Sequence, residues 1–203
     1  MNFNRPITFS NYNGKKRFLK ISGRAIFDND LKMIGTLTSS EARNRLWIKN
    51  KLGMETLTAE VPEEGGNITF AGRKLNSKVK PILDGDKIKF VISLTGKGDI
   101  KENNTNLDLR NQKYLKEVEQ ALNKDVQKNV TKTISKVQEE LKVDIFGLGE
   151  TIHRKYPKRW KEIKDNWNED FTKADIVVNV NLKVEEVGVT GPPLQLRESV
   201  IKK

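Results

Sequence analysis

A single long apolar stripe constrains the fold of this chain more than any other feature of its sequence. Over residues 109–142, apolar side chains recur every three or four residues, which is the period of one helix face. The members of the stripe are Leu115, Val118, Leu122, Val126, Val130, Ile134, Val137 and Leu141. The pattern predicts a helix of about 50 Å at about 1.5 Å per residue. A stripe this narrow fits a helix with one side on a sheet and the other in water, whereas a coiled-coil dimer would leave the strands uncovered.

The strands that this helix would cover are predicted by alternation of apolar and polar residues. The clearest run is Asp175–Val187, where one face is apolar and the other polar. Asp84-Gly85 separates two further runs, 75–83 and 87–94, and predicts a hairpin. Pro81 predicts a sheet edge or a bulge, because proline cannot donate to a ladder.

Other strands are predicted at Met54–Val61, over 68–71, and in a hairpin over 17–37 that turns at residues 28–30. The polar, glycine-containing stretch 96–106 predicts a loop. These elements together predict an α+β fold, a mainly antiparallel sheet covered by one long helix plus short helices. We expect residues 1–16 to be a flexible lead-in or linker remnant, 17–190 a single α+β domain, and 191–203 a flexible tail.

A capping box predicts where the first helix begins. Thr38 stands at the N-cap position, and Glu41 follows three residues later, so each side chain can accept the other's backbone amide. The segment RLWIKNK that ends this helix contains Trp47, which we interpret as a core residue because apolar neighbours flank it. The expected buried side is Ala42, Leu46 and Trp47, and the expected water-facing side is Arg43, Arg45, Lys49 and Lys51.

The stretch 143–167, VDIFGLGETIHRKYPKRWKEIKDNW, is dense in features that resemble an active site. It predicts two short helices, the first with Asp144 as N-cap and the second beginning at Pro157. Tyr156 separates them, because a residue before proline is pushed out of the helical region. Trp160, Ile163 and Trp167 recur at helical spacing and predict an aromatic face on the second helix.

Composition limits the function classes that need considering. The 203 residues include no cysteine, which excludes disulfides, thiolate metal sites and thiol nucleophiles in this chain. No apolar run is long enough to cross a bilayer, and the N-terminus lacks an apolar signal core. The net charge of +11 fits a well-solvated surface rich in lysine, and it also predicts attraction to anionic lipid headgroups or to nucleic acid.

Catalysis has little support in the sequence. His153 is the one histidine, so it has no second imidazole for a metal and no cysteine partner. The Gly147–Gly149 pair imitates part of a nucleotide-binding fingerprint but lacks the preceding strand, and close helix packing accounts for it better. Glu150, Asp144 and Asp165 more often cap helices or pair with lysines than form an acid–base pair. We therefore predict no enzyme activity, no catalytic residue, no metal site and no cofactor.

Three blocks of the chain, in order, resemble one known family. They are SGRAIFDNDLKMIGTLTSSEARNRLWIKNK, DIFGLGETIHRKYPKRWKEIKDNW and DIVVNVNLKVEEVG. They are similar to the C-terminal region of the Ger(x)C family, the lipoprotein C subunits of the nutrient germinant receptors of bacterial spores. The resemblance runs over residues 18–188, and the three separated blocks make it specific.

The resemblance implies a non-catalytic C-subunit domain that acts in receptor assembly and germination signalling. It implies membrane-embedded A and B subunits as partners, and a place on the outer face of the spore inner membrane. Members of the family begin with a lipoprotein signal, a lipid-modified cysteine and a further domain. This chain shows none of them, so we expect it to be the C-terminal portion of such a protein, soluble by itself. The resemblance assigns no small-molecule ligand.

A basic run on the two short helices is the predicted contact surface. Its members are Arg154, Lys155, Lys158, Arg159 and Lys161. Such a run is usually a solvated face, but cations beside aromatic residues recur at interfaces. We expect it to contact a partner subunit or an anionic membrane surface. The alternative is a basic nucleic-acid-binding module, which has the charge but no supporting motif.

Overall fold

The computed structural model describes residues 7–9, 17–19, 23–28, 30–61 and 65–187. The chain divides into two compact units, Met1–Arg43 and Asn44–Lys203. Helix α1 (Ser39–Ile48) runs through the boundary between them. The predicted lead-in, 1–16, lies outside the described residues except for strand β1 (Ile7–Phe9), and the predicted tail, 191–203, lies outside them entirely.

The first unit contains two short antiparallel pairs. Strand β1 pairs with β2 (Arg17–Leu19), and β3 (Arg24–Phe27) pairs with β4 (Met33–Leu37). The predicted hairpin is therefore confirmed only from Arg24 onward, since 17–19 pair with β1 instead. The turn between β3 and β4 is held by Asp28, whose Oδ1 accepts hydrogen bonds from the amides two and four residues later, both at 2.9 Å.

The capping box of α1 is confirmed. The amide of Thr38 donates to Glu41 Oε2 at 2.7 Å, and the amide of Glu41 donates to Thr38 Oγ1 at 3.3 Å. Each side chain thus satisfies a backbone donor that the first helical turn leaves without an intrahelical acceptor. The sequence alone therefore fixes the start of this helix.

The second unit is built on a four-stranded sheet in the order β5-β6-β7-β8. Its strands are β5 (Met54–Val61), β6 (Gly66–Asp84), β7 (Lys87–Asn103) and β8 (Asp175–Val187). The β5–β6 and β6–β7 pairs are antiparallel, and the β7–β8 pair is parallel. The predicted α+β class is confirmed, and the crossover of the parallel pair contains the other helices of the described residues.

Two strands are much longer than predicted. The runs predicted at 68–71 and 75–83 belong to one strand, β6, with an irregularity between Arg73 and Asn76. The loop predicted at 96–106 is wrong, because β7 continues to Asn103. Its glycines are there for close packing: a Cβ on Gly98 would collide with the carbonyl oxygen of Ala71 and stand 2.7 Å from Phe70 Cζ.

The predicted hairpin turn and the predicted edge position are both confirmed. Asp84 pairs with Lys87 across a two-residue turn, in which Gly85 has a φ of +58°. Strand β5 pairs only with the 66–73 part of β6, so Pro81 lies where β6 is an edge of the sheet.

The predicted long helix is present but shorter. Helix α2 (Gln112–Lys136) begins after Asn111, whose side chain accepts from the Lys113 amide, and a π-helical turn (Val137–Leu141) ends it. It packs on β8 and β5. All members of the stripe are buried except Leu115, which is half-buried. Three short helices then precede β8: α3 (Leu148–Lys155), α4 (Pro157–Ile163) and α5 (Trp167–Lys173).

Helix α2 also closes the outer edge of β8 with polar side chains. Asn123 Oδ1 accepts from the Leu182 amide at 2.7 Å, and Asn123 Nδ2 donates to the Leu182 carbonyl at 3.4 Å. The Gln127 amide donates to the Val178 carbonyl at 2.7 Å, and Glu119 Oε1 accepts from the Val184 amide at 2.9 Å. These side chains take the place of a fifth strand and leave fewer free backbone groups for another chain to pair with.

We predict that Asn123→Ala destabilises the protein by about 1–3 kcal/mol, because the backbone groups of fully buried Leu182 lose their partners. Urea unfolding midpoints measure the effect. The control is Lys124→Ala, an exposed neighbour on the same helix, for which we expect a change within about 0.5 kcal/mol. Equal midpoints for the two variants would show that the edge contacts contribute nothing.

Candidate interaction surface

Asp144 organises the turn that leads into α3. Its Oδ1 accepts from the amides of Phe146 (3.1 Å) and Gly147 (2.8 Å), and its Oδ2 accepts from the Gly149 amide (2.8 Å) and Trp167 Nε1 (3.1 Å). The prediction that Asp144 is the N-cap is wrong, because Gly147, with a φ of +77°, holds that position. Glycine adopts this left-handed conformation at little cost, so the turn folds back and the carboxylate still reaches the helix start.

A cluster of aromatic rings packs against Gly149. The ring centroids of Trp160 and Trp167 lie 5.6 Å apart, and Phe90 meets Trp167 edge-on at 6.3 Å. A Cβ on Gly149 would stand 2.7 Å from Trp167 Nε1 and 2.8 Å from Trp160 Cη2. The interpretation of this glycine as a close-packing residue is therefore confirmed.

The aromatic face comes from two helices rather than one. Tyr156 ends α3 and Pro157 begins α4, as predicted. Helix α4 stops at Ile163, a 3₁₀ turn (Lys164–Asn166) follows, and Trp167 opens α5. Trp160 and Trp167 still lie on one face although the helix is interrupted, because the number of residues per turn in a 3₁₀ turn is close to that of an α-helix. Trp160 is half-buried, while Ile163 and Trp167 are buried.

The residues weighed as catalytic do not converge. His153 is exposed and stacks on Trp160, with 5.9 Å between ring centroids. Asp165 is exposed beside Lys164, and Glu150 is exposed on α3, while Asp144 is occupied by backbone amides and an indole.

In the described ranges no three His, Asp or Glu side chains are grouped to hold a metal ion. No helix in those ranges has the length and apolar run needed to cross a bilayer.

Two members of the basic run brace the helices against the β6–β7 hairpin. Lys155 Nζ donates to the Pro81 carbonyl at 3.2 Å and lies 4.8 Å from the ring centroid of Tyr156. The Arg159 guanidinium donates hydrogen bonds to Glu162 Oε2 at 2.7 Å and to Asp86 Oδ1 at 3.0 Å. These two carboxylates raise the pKa of the guanidinium. These two cations are committed to contacts within the protein.

The other three members project into solvent. Arg154, Lys158 and Lys161 are exposed and form no hydrogen bond or ion pair with any residue that the structure describes. These three residues are the part of the predicted contact surface that is available to a partner.

A groove between the end of α1 and the start of α3 escaped prediction. It encloses about 480 Å³, and Lys49, Lys51 and Arg154 line it together with polar residues. Trp47, predicted as core, is 2% exposed, and its indole donates to the Asn76 carbonyl at 3.1 Å. The groove thus lies beside a buried, hydrogen-bonded part of the core.

The loop that carries Lys49 and Lys51 is tied to the sheet. Asn50 takes a φ of +54°, and its Oδ1 accepts from the Ser77 amide at 2.8 Å. Ser77 Oγ in turn donates to the Ile48 carbonyl at 3.0 Å. This wall of the groove is therefore fixed by hydrogen bonds of Ile48 and Asn50, the residues on either side of Lys49.

The opposite wall is fixed through Arg45. We predicted that this side chain faces water, but it is half-buried, and its Nε donates to the Ile145 carbonyl at 2.8 Å. The prediction was wrong because the acceptor lies 100 residues away in sequence. The sequence did contain one indication of the groove. The segments RLWIKNK and DIFGLGE, which form its two walls, both lie within the blocks that carry the family resemblance.

Comparison with known proteins gives a consistent result. Residues 22–188 match the family described as spore germination B3/GerAC like, C-terminal. Among proteins of Bacillus subtilis strain 168, spore germination protein YndF is 29% identical over 171 residues, and spore germination protein KC is 25% identical over 181. These alignments cover 84% and 89% of this chain but 42% and 44% of the relatives, so the chain spans less than half of their length. The crystal structure of the GerBC protein superposes with a TM-score of 0.73 at 25% identity, covering 86% of this chain and 54% of that one.

We predict that Asp144→Asn destabilises the protein by about 1.5–3 kcal/mol, because an amide nitrogen replaces one of the two oxygens that accept these hydrogen bonds. Urea unfolding, followed by tryptophan fluorescence, measures the loss. Asp165→Asn is the matched control, since its exposed carboxylate only approaches Lys164 at 4.0 Å. Similar losses in both variants would contradict the role of Asp144.

We predict that Gly149→Ala destabilises the protein by about 1–3 kcal/mol, because the added methyl group meets two indole rings at less than 3 Å. This steric cost outweighs the helix propensity that alanine gains over glycine, about 1 kcal/mol. Thermal unfolding measures the difference. Gly53→Ala is the control, because a Cβ there meets nothing within 4 Å. An unchanged or higher Tm for Gly149→Ala would refute the packing argument.

Proposed function

Because the chain belongs to the family of C-terminal domains of spore germination B3/GerAC-like proteins, we propose that it serves as a docking domain of a nutrient germinant receptor. The family is that of germinant receptor C subunits in spore germination. In the proposed role the domain takes part in receptor assembly and germination signalling at the spore inner membrane, and it does so without catalysis.

One observation carries the proposal: the distinctive residues of 143–167 build a rigid support beneath free cations. Asp144 and Gly149 fix the turn and the tryptophans, and Lys155 and Arg159 attach the helices to the sheet. Asp144 and Gly149, which resembled parts of a catalytic or nucleotide site, therefore have structural roles. The surface they support offers charge and shape to a partner, which is the chemistry of recognition rather than of bond making.

The proposed partners are the membrane-embedded A and B subunits of the receptor. The curated relatives are named spore germination proteins, which fits a role in one process. A lipid anchor at the outer face of the inner membrane, carried by a preceding part of the protein, would place the basic surface near anionic headgroups. Such headgroups attract nearby lysines by about 1 kcal/mol each, an attraction that salt screens.

We predict that Lys158→Glu with Lys161→Glu reduces co-purification of the other receptor subunits roughly tenfold, because two attractive contacts become repulsive. Recovery of those subunits from spore membranes, normalised to this protein, measures the effect. Arg159 is left intact, since reversing it would break its pairs with Asp86 and Glu162.

Lys124→Glu with Lys132→Glu is the matched control, because it changes the net charge equally on exposed positions of α2. Recovery equal to that of the control would overturn the proposed contact surface. Titration with random DNA and with anionic vesicles at two salt concentrations tests the nucleic-acid alternative. Tight and steeply salt-dependent DNA binding would contradict the docking role.

A further inference from the structure

The groove between RLWIKNK and α3 combines charge and rigidity, and it shares only Arg154 with the predicted contact surface. Its lining includes three cations, Lys49, Lys51 and Arg154, and one carboxylate, Glu150. None of the three cations has a hydrogen bond or ion pair with any residue in the described part of the chain. With Glu150 counted, an excess of two positive charges therefore lines this concave site.

Both walls of the groove are held before any ligand arrives. One wall is tied to β6 through Asn50 and Ser77, and Arg45 joins α1 to the turn that begins the other wall. Asp144 then fixes that turn through three backbone amides. A site that needs no ordering on binding retains more of its contact energy as affinity.

The position of Lys49 shows how closely the walls approach each other. Its Nζ lies 3.1 Å from the point where a Cβ on Gly147 would stand. Gly147 has no side chain to shield this ammonium group, and Gly147 also needs its left-handed φ for the turn. The glycine thus serves the backbone geometry and leaves a cation uncovered inside the groove.

We propose that this groove binds a short acidic peptide segment of a partner protein, with carboxylates of the segment pairing with Lys49, Lys51 and Arg154. The inference rests on the proposed docking function and names the chemistry of what docks. A volume of about 480 Å³ suits a ligand of a few residues, as in pockets of about 300–1,000 Å³. Asn50 Nδ2 can still donate to a peptide carbonyl. The hydroxyls of Ser77 and Thr151, which donate to the Ile48 and Leu148 carbonyls, can still accept from a peptide amide.

A peptide fits the groove better than a phosphate-rich ligand does. Glu150 lies among the cations and repels a dense row of phosphates, whereas a peptide can place a neutral residue or a donor opposite it. A lipid surface would call for cations spread along the plane of the bilayer, whereas these three line one groove. The same cations would draw an acidic segment in quickly at low salt.

The test uses the 203-residue chain and a fluorescent hexapeptide of alternating Glu and Ser, with a Gln–Ser hexapeptide as the neutral probe. We expect fluorescence anisotropy to show saturable binding of the acidic peptide and at least about tenfold weaker binding of the neutral one. Lys49→Glu with Lys51→Glu should weaken binding roughly tenfold or more, because two pairings become repulsions. Lys124→Glu with Lys132→Glu, of equal net charge, should leave binding within about twofold of the unchanged chain.

Three results would overturn the proposal: no binding of the acidic peptide, equal loss in the two double variants, or a Lys49/Lys51-dependent binding of phosphatidylglycerol vesicles in its place. Circular dichroism of each variant confirms that the fold is retained. Failure of the groove proposal can be told apart from failure of the docking function, because Lys158 and Lys161, which test docking, lie outside the lining of the groove. Loss of receptor recovery in the Lys158/Lys161 variant without peptide binding would remove the groove proposal alone.

Discussion

The burial of the apolar stripe of α2 on the sheet is the constraint on which the second unit depends. The helix must lie across β8 and β5 to hide this stripe, and in doing so it brings Glu119, Asn123 and Gln127 to the open edge of β8. Hydrophobic burial supplies the free energy, and the polar contacts set how the helix lies along the strand. The crossover can then make β8 parallel to β7 without leaving a long bare edge.

The turn that follows α2 positions the short helices that carry the predicted contact surface. Lys142, with a φ of +54°, ends the helical run, and Asp144 gathers the next amides around its carboxylate. Because Gly149 has no side chain, the tryptophans of α4 and α5 can close over α3. Asp144 therefore serves the turn, Gly149 serves close packing, and the exposed His153 stacks on Trp160.

The positive charge of the protein is divided among different tasks. Lys155 and Arg159 brace the short helices against the β6–β7 hairpin, and Arg45 joins α1 to the turn before α3. Some cations without such partners lie on α3 and α4 or in the groove beside them, and others, such as Lys124 and Lys132, lie on the exposed side of α2. Distance to an acceptor accounts for this division. An arginine or lysine forms an internal contact where a carbonyl or carboxylate lies within reach of its side chain, and where none does it can contact another molecule.

Local physics allowed the sequence by itself to determine the capping box, the turn at Gly85, the limits of β5 and β8, the apolar stripe and the family. Each depends on residues that are close in the chain or on a repeating period. Tertiary structure alone decided that β7 continues through Gly96 and Gly98, that Arg45 is half-buried, that Asp144 serves a turn and an indole together, and that two distant segments enclose a groove. These features depend on atoms brought together from 20 to 100 residues apart, and composition and periodicity carry no information about such distances.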